Sequence, residues 1–252
     1  MPVDPRAGVT GARHIALDSV GSTNNEALKL ARGGERKPVW ITAKRQSAGR
    51  GRRGSNWVSA PGNLYATLFL PDPSTSDVAP QLSFVAALAL HDALGECAPQ
   101  LGPLFKVKWP NDLLLGHDKL GGILIEGEGV PAFAVAIGFG VNCVSHPIDT
   151  FYPATDLLVG GAIVNPDALF DALAAAMPRR LAQWKRGEDF MSIRADWMAR
   201  AAGLGQDICV RLPERELSGR FEGLDEVGRL LLLASGGIEI VTAGEVFGMG
   251  SR

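Results

Sequence analysis

The sequence predicts an α+β protein that ends in a small barrel of β-hairpins. Helix-like and strand-like segments are interspersed between residues 22 and 202, which indicates sheet and helix packed on one core. After residue 203, short strand-like segments recur about every ten residues, and turn residues such as Ser235-Gly236-Gly237 separate them, which is typical of a small barrel. The 252 residues are enough to bury a substantial core.

The composition excludes several classes of protein. Hydrophobic residues make up 46% and charged residues 21% of the chain, which fits a globular protein and excludes a disordered one. The 25 basic and 27 acidic side chains give a net charge of −2, which argues against a polycation that coats nucleic acid. Cys97, Cys143 and Cys209 are too far apart for a cysteine-rich zinc module and fit the reduced thiols of the cytoplasm.

The chain divides by composition into a tail and two domains. Residues 1–13 are polar and rich in proline and glycine, without the apolar stretch of a signal peptide, so we expect a flexible tail. Residues 131–144 form the most apolar segment, which is too short and too rich in glycine to span a bilayer. We therefore expect a soluble cytoplasmic protein with domains over residues 14–203 and 204–252.

The hydrophobic pattern and the capping residues predict the elements. Thr23 and Glu26 have the spacing of a capping box, and Asn165-Pro166 is a typical helix start. The expected helices cover residues 22–32, 81–97, 165–184 and 190–202. The expected strands cover residues 39–43, 64–70, 106–109, 113–115, 122–128, 132–138, 207–212, 217–224, 229–234 and 238–241.

The most unusual segment is a basic, glycine-rich loop. Lys44 to Arg53 contains five positive charges and no acidic residue, and arginine forks with nearby glycines suit a phosphate or carboxylate ligand. A solvated surface loop remains the alternative. The spacing Gly49-x-Gly51-x-x-Gly54 also matches a dinucleotide-binding fingerprint, but no helix begins at Ser55, so the context excludes that interpretation.

Two further segments carry polar side chains at strand ends. The turn at Pro110 displays Asn111 and Asp112 at a sheet edge, although an ordinary hairpin turn has the same chemistry. Lys119 precedes a pair of glycines and a buried strand, where an ammonium group would meet an anion, although a surface lysine is the simpler interpretation. The histidines show no metal-ligand spacing, so no protein-held metal is predicted: His14, His91, His117 and His146.

Taken in order, these segments resemble the motifs of biotin–protein ligases. Any one motif is weak evidence, but the set in this order is specific, and the resemblance covers about residues 14–252, ending with Ala243-Gly244-Glu245-Val246. The matching segments are Ser22-Thr23-Asn24, Gln46 to Gly54, Lys108-Trp109-Pro110-Asn111-Asp112, Lys119 to Leu124, and Gly138-Phe139-Gly140-Val141-Asn142.

The resemblance implies a fold and a reaction. The fold is a catalytic domain with a mixed β-sheet flanked by helices, followed by an SH3-like β-barrel. The reaction joins biotin to ATP as biotinyl-5′-AMP, with Mg²⁺ as counter-ion, and then transfers biotin to a lysine of a biotin carboxyl carrier protein domain. A homodimer is compatible with the resemblance. DNA is not an expected partner, because the chain starts too close to Ser22 for the DNA-binding domain of the bifunctional members. A membrane is not expected either, because the most apolar segment is too short and too rich in glycine to span a bilayer.

The resemblance also implies a role for each motif residue. Lys119, Asp112 and Arg52 are the implied catalytic residues. Nucleotide binding falls to Arg52, Lys108, Asn111 and Asn142. Biotin binding falls to Ser22, Thr23, Asn24, Gln46, Gly49, Arg50, Gly51, Arg52, Lys119, Gly122 and Gly138. Many members of the family that the motifs resemble carry another arginine or a similar residue where this chain has Ser55, so we expect phosphate binding here to be weaker or differently distributed.

Two other functions remain as alternatives. A lipoate or octanoate ligase or transferase has the same catalytic architecture, but the loop up to Gly54 and the segment from Lys108 to Asp112 favour biotin. A non-enzymatic nucleic-acid-binding protein would use the segment from Lys44 to Arg53 as its patch. The net charge of −2 and the lack of aromatic residues in that loop count against it.

Overall fold

The structure is a computed structural model that describes residues 12–129, 132–148, 150 and 152–248. Within these residues the α-helices are α1 (Thr23–Arg32), α2 (Leu82–Cys97), α3 (Pro166–Trp184) and α4 (Phe190–Met198). The strands of the first part are β1 (Arg13–Leu17), β2 (Val39–Ala43), β3 (Leu64–Pro71), β4 (Phe105–Lys108), β5 (Asp112–Leu115), β6 (Asp118–Glu128) and β7 (Ala134–Val141). Those of the second part are β8 (Asp207–Arg211), β9 (Glu216–Leu224), β10 (Leu230–Ala234), β11 (Gly237–Val241) and β12 (Glu245–Gly248).

The strands form one sheet in each part of the chain. The first sheet has the order β1-β2-β3-β7-β6-β5-β4, with β1 parallel to β2 and the other pairs antiparallel. The second sheet is antiparallel, with the order β11-β10-β9-β8-β12. A mixed sheet with helices and a C-terminal antiparallel sheet confirm the predicted α+β fold.

The two faces of the first sheet have different cores. Successive side chains of a strand point to opposite faces, so Val135, Ile137 and Phe139 of β7 join the main core with α2 and α3. Ala134 and Ala136 face the other side, where they pack with α1. Gly138 and Gly140 continue that second face. Because these two positions lack side chains, other side chains can lie directly against the sheet there.

The main core continues into the C-terminal sheet. Buried residues of β8, β9 and β10 belong to the same hydrophobic cluster as α2. At the junction, Trp109 Nε1 donates a hydrogen bond to the carbonyl of Gly228 at 3.1 Å. A Cβ on Gly228 would lie 2.7 Å from the ring of Phe84, so only glycine fits this approach. The domain boundary between residues 203 and 204 remains a prediction.

Several expected elements differ from the observed ones. Strands β1 and β12 were not expected, and Arg13, which was assigned to the tail, lies in β1. Residues 1–11 of the expected tail lie outside the described residues. Helix α4 ends at Met198 rather than at residue 202. The capping box at Thr23 is wrong: Ser22 is the N-cap without a side-chain cap, and the Thr23 hydroxyl bonds to Gln46 instead.

Two other properties bear on the class of protein. Within the described part of the chain, no helix is both long enough and apolar enough to cross a membrane. The three cysteines are free thiols.

Candidate active site

A cavity of about 380 Å³ lies on the α1 face of the first sheet, where β7 carries its glycines. The basic loop covers it, and the segment around Glu245 and Val246 borders its far end. Of the predicted site residues, only Gly49 does not line the cavity. Those that line it are Ser22, Thr23, Asn24, Gln46, Arg50, Gly51, Arg52, Lys108, Asn111, Asp112, Lys119, Gly122, Gly138 and Asn142.

One end of the cavity, which we call the polar end, is built from hydroxyl and amide groups. Gln46 Oε1 accepts hydrogen bonds from the backbone N–H of Thr23 at 2.9 Å and from its hydroxyl at 3.1 Å. Gln46 Nε2 donates to Ser59 Oγ at 3.0 Å. Thr67 Oγ1 lies 2.8 Å from Thr23 Oγ1 and 2.7 Å from Asn24 Oδ1. This end offers oriented donors and acceptors without a net charge.

Asn24 is held on every side at the polar end. Its Nδ2 donates to the carbonyl of Leu124 at 3.3 Å and to Glu126 Oε2 at 2.8 Å. A Cβ on Gly138 would lie 2.3 Å from Asn24 Oδ1, so glycine at this position makes room for the amide. The side chain of Asn24 therefore has one fixed orientation at the cavity wall.

The opposite end, which we call the charged end, places a buried carboxylate between two lysines. Asp112 Oδ1 lies 2.7 Å from Lys119 Nζ, and Asp112 Oδ2 lies 3.4 Å from Lys108 Nζ. Burial acts to raise the pKa of Asp112, but the lysines outweigh it and hold the pKa below its ordinary value. Burial lowers the pKa of Lys108, against the opposing effect of Asp112. An anionic ligand bound at this end would compete with Asp112 for the ammonium groups of Lys108 and Lys119.

The basic loop lies along the cavity and is anchored at Arg50. Arg50 Nη2 lies 2.8 Å and 2.9 Å from the two carboxylate oxygens of Glu126, and Nη1 donates to Asn25 Oδ1 at 2.6 Å. Arg52 Nη1 donates to the carbonyl of Gly244 at 3.2 Å, and burial lowers the pKa of Arg52. Gly49 is buried and does not line the cavity. A Cβ there would be 2.5 Å from the carbonyl oxygen of Trp57, so glycine is needed at this close approach.

Trp57 is a cavity residue that the sequence analysis did not assign. Its indole covers the glycines of β6 and β7: a Cβ on Gly140 would lie 2.5 Å from the ring, and one on Gly122 would lie 3.3 Å from it. Lys119 Nζ lies 5.6 Å from the ring centroid, a cation–π contact. Trp57 Nε1 is buried and has no hydrogen-bond partner among the described residues.

The C-terminal sheet contributes the border of the charged end. Lys108 Nζ donates to the carbonyl of Val246 at 3.2 Å and lies 4.3 Å from the ring centroid of Tyr152. Tyr152 stacks on Phe247, with ring centroids 4.5 Å apart, and its hydroxyl donates to Glu245 Oε2 at 3.1 Å. The second part of the chain is therefore in direct contact with the site.

Two of the predicted nucleotide-binding residues also hold the backbone. Asn142 Nδ2 donates to the carbonyl of Thr155 at 3.0 Å, which fixes the segment that follows β7. Asn111 Nδ2 donates to the carbonyl of Ile123, and Asn111 Oδ1 lies 3.4 Å from Arg52 Nη1. Both residues line the cavity, and their direct contact with a nucleotide remains a prediction.

The fold and the cavity together define a class of protein: an α+β enzyme whose site joins a neutral polar end to a cationic end beside a C-terminal antiparallel sheet. The chain belongs to the biotin/lipoate A/B protein ligase family, whose model matches residues 17–142. The model of the biotin protein ligase C terminal domain matches residues 203–248. These matches confirm the family that the motifs predicted.

Individual relatives cover nearly the whole chain. The biotin--[acetyl-CoA-carboxylase] ligase of Paracoccus denitrificans is 44% identical, over 92% of this chain and 98% of its own length. The ligase of the same name from Mycobacterium tuberculosis is 32% identical, over 90% and 85%. The structure of the biotin protein ligase from Aquifex aeolicus in complex with biotin and ATP matches with a TM-score of 0.79 at 26% identity, covering 93% of this chain and 97% of that one.

Proposed function

We propose that this protein activates biotin with ATP and transfers it to a lysine of a biotin carboxyl carrier protein domain. The observation that carries the proposal is the cavity that joins the polar end to the charged end. Biotin has a neutral urea head, an apolar chain and a terminal carboxylate, and the cavity offers matching groups in that order. The Aquifex relative in complex with biotin and ATP supports the same assignment.

The first half-reaction makes biotinyl-5′-AMP. A carboxylate oxygen of biotin attacks the α-phosphorus of ATP, the bond from that phosphorus to the bridging oxygen breaks, and pyrophosphate leaves with the electron pair. Both reactants are anions, and the transition state gathers further negative charge. Lys119, Lys108 and Arg52 line the cavity, and we assign them to this charge, because fixed cations in a partly buried site stabilise such a transition state.

The second half-reaction forms an amide on the carrier. The amine nitrogen of the carrier lysine attacks the acyl carbon of the adenylate, the acyl carbon–oxygen bond breaks, and AMP leaves with the electron pair while the amine loses a proton. Asp112 lies between two lysines and its pKa is low, so it is a weak base. We therefore assign it to orienting Lys108 and Lys119 rather than to accepting the proton.

We assign Mg²⁺ to the nucleotide rather than to the chain. Over the residues that the structure describes, no group of three or more His, Cys, Asp or Glu side chains is placed to hold a metal ion. The carboxylate of Asp112 is already occupied by two ammonium groups. Mg²⁺ would arrive as the counter-ion of the ATP phosphates.

The polar end separates biotin from lipoate as the substrate. The dithiolane head of lipoate has no hydrogen-bond donor and only weak sulfur acceptors, so it would gain little from the hydroxyl and amide groups of Thr23 and Gln46, whereas the urea head of biotin offers both donors and acceptors. The nucleic-acid alternative is weakened, because two cations of its basic patch are paired with acids: Arg50 is paired with Glu126, and Lys44 lies 2.7 Å from Asp18.

The free thiols fit a cytoplasmic protein. A homodimer remains part of the proposal.

The decisive experiment is mass spectrometry of a purified carrier domain incubated with the protein, MgATP and either biotin or lipoate. We expect the mass of one biotinyl group to be added with biotin and none with lipoate. A competent carrier domain that gains no mass with biotin would contradict the proposal, and a gain with lipoate alone would establish the alternative substrate.

A further inference from the structure

We infer that Glu126 is a positioning residue for biotin: its carboxylate ties the basic loop to the start of α1 at the polar end of the cavity. The inference rests on the proposed function and adds to it a residue outside the matched motifs. Glu126 does not line the cavity, so its effect on a ligand is transmitted through its two neighbours, Arg50 and Asn24.

The contacts of Glu126 join three elements at one carboxylate. On the loop side, both of its oxygens lie within 2.9 Å of Arg50 Nη2. On the helix side, Oε2 accepts a hydrogen bond from Asn24 Nδ2 at 2.8 Å. Arg50 Nη1 also donates to Asn25 Oδ1 at 2.6 Å. One carboxylate on β6 thus fixes both the loop and the first turn of α1.

The position of Glu126 follows from the alternation of β6. Gly122, Leu124 and Glu126 share one face of the strand, and the first two line the cavity. Glu126 comes next on that face and is paired across the sheet with Ala136, which packs with α1. The side chains of Arg50 and Glu126 are 33% and 27% exposed, so this ion pair is partly shielded from water.

Loss of the carboxylate would release both neighbours. Arg50 would keep only Asn25 of these hydrogen-bond partners, and the loop would lose its link to β6. Asn24 would keep the carbonyl of Leu124 at the longer distance of 3.3 Å, and its amide would be less fixed. Both changes fall at the polar end, because Asn24 and Arg50 are the two neighbours of Glu126, whereas Lys119 of the charged end lies near the opposite end of β6. We therefore expect an effect on biotin and not on ATP.

The test compares Glu126→Gln with the wild type. Calorimetry should show biotin binding about tenfold weaker, the effect of losing one charge-assisted hydrogen bond, with the KM for ATP unchanged. Without any ligand, trypsin should cut faster after Arg53, which is exposed in the loop. In an Arg50→Met background the same substitution should weaken biotin binding less, because one of its two neighbours is already disconnected.

Glu128→Gln is the matched control. Glu128 lies on the same face of β6, and its carboxylate pairs with Arg32 at 2.7 Å on the surface away from the cavity. Glu128→Gln should leave biotin affinity and the rate of trypsin cleavage after Arg53 unchanged. The inference would be overturned if Glu126→Gln bound biotin with wild-type affinity, or if its KM for ATP rose by the same factor by which biotin binding weakened. A wild-type protein that binds no biotin would overturn the proposed function as well, and the ligand-free cleavage rates would still show whether Glu126 holds the loop.

Discussion

The ammonium group of Lys119 lies 2.7 Å from the carboxylate of Asp112, a buried residue that also faces Lys108. Lys119 is therefore not a solvated surface lysine, which was the simpler interpretation of the sequence. Its cation is held at the charged end of the cavity by a carboxylate that stays ionised. This pairing orients Lys119 before a ligand binds, and such preorganisation is what makes a fixed charge effective in a transition state.

Lys119→Met should block adenylate formation without unfolding the protein. Methionine keeps most of the side-chain length and apolar volume, and Asp112 retains Lys108 as a partner. The first half-reaction, followed by pyrophosphate release, should slow roughly a hundredfold to a thousandfold. Transfer from added biotinyl-5′-AMP should suffer less, because the anhydride is already formed.

Lys29→Met is the control for this substitution, since Lys29 is exposed on α1 and pairs with Glu26. Equal pyrophosphate release by Lys119→Met and the control would show that Lys119 takes no part in the reaction.

Arg52→Ala should release biotinyl-5′-AMP faster while biotin binding changes little. The guanidinium lies at the charged end, 3.2 Å from the carbonyl of Gly244, and its proposed partner is the adenylate phosphate. Loss of one charge-assisted contact should weaken adenylate binding by about 1.5–3 kcal/mol.

Chromatography of the free adenylate measures the effect, with Arg45→Ala as the exposed control in the same loop. If Arg52→Ala retains the adenylate as long as the control does, the phosphate is held by other groups.

The local signals in the sequence predicted most of the fold, but contacts distant in sequence changed the site. β2 was predicted with its observed bounds because an apolar run between turn residues is a local feature. The capping box at Thr23 failed because Gln46, 23 residues away, takes the hydroxyl that a cap would need. Thr67, which contacts Thr23 and Asn24 at the polar end, was not predicted as a site residue. A short polar residue within the apolar strand β3 was the signal in the sequence that could have indicated it. Glu126 carried none that distinguishes it from any acid near a strand end.

The border formed by the C-terminal sheet should affect ATP and not biotin. Tyr152 stacks on Phe247 and lies against Lys108, so Tyr152→Leu should detach this border from the charged end. We expect the KM for ATP to rise about two- to tenfold, the range of one aromatic contact. Tyr152→Phe keeps the ring and removes the hydroxyl that donates to Glu245, so its effect should be smaller. Steady-state kinetics with each substrate varied would contradict this prediction if both variants changed the two KM values alike.

Lys108 should make stability depend on pH in the alkaline range. Burial lowers its pKa in the folded chain below the ordinary value of 10.5, so the folded protein loses this proton at a lower pH than the unfolded chain does. Between these two pKa values the unfolded state binds more protons, and the free energy of unfolding rises with pH. Lys108→Met lacks this contribution. The stability of the wild type relative to the variant should therefore increase as the pH rises toward 10.5.

Urea unfolding from about pH 7 upward measures this difference, since urea midpoints convert to free energies of unfolding. Asp112 does not interfere, because its pKa lies below the ordinary value of 3.8 and the carboxylate stays ionised throughout. Lys106→Met is the control, because Lys106 lies on the same face of β4 but does not line the cavity. A constant or falling difference would mean that the Lys108 ammonium is not buried in solution. A rising one would mean that the folded protein bears an unfavourable charge at neutral pH, which an anion at the charged end would relieve.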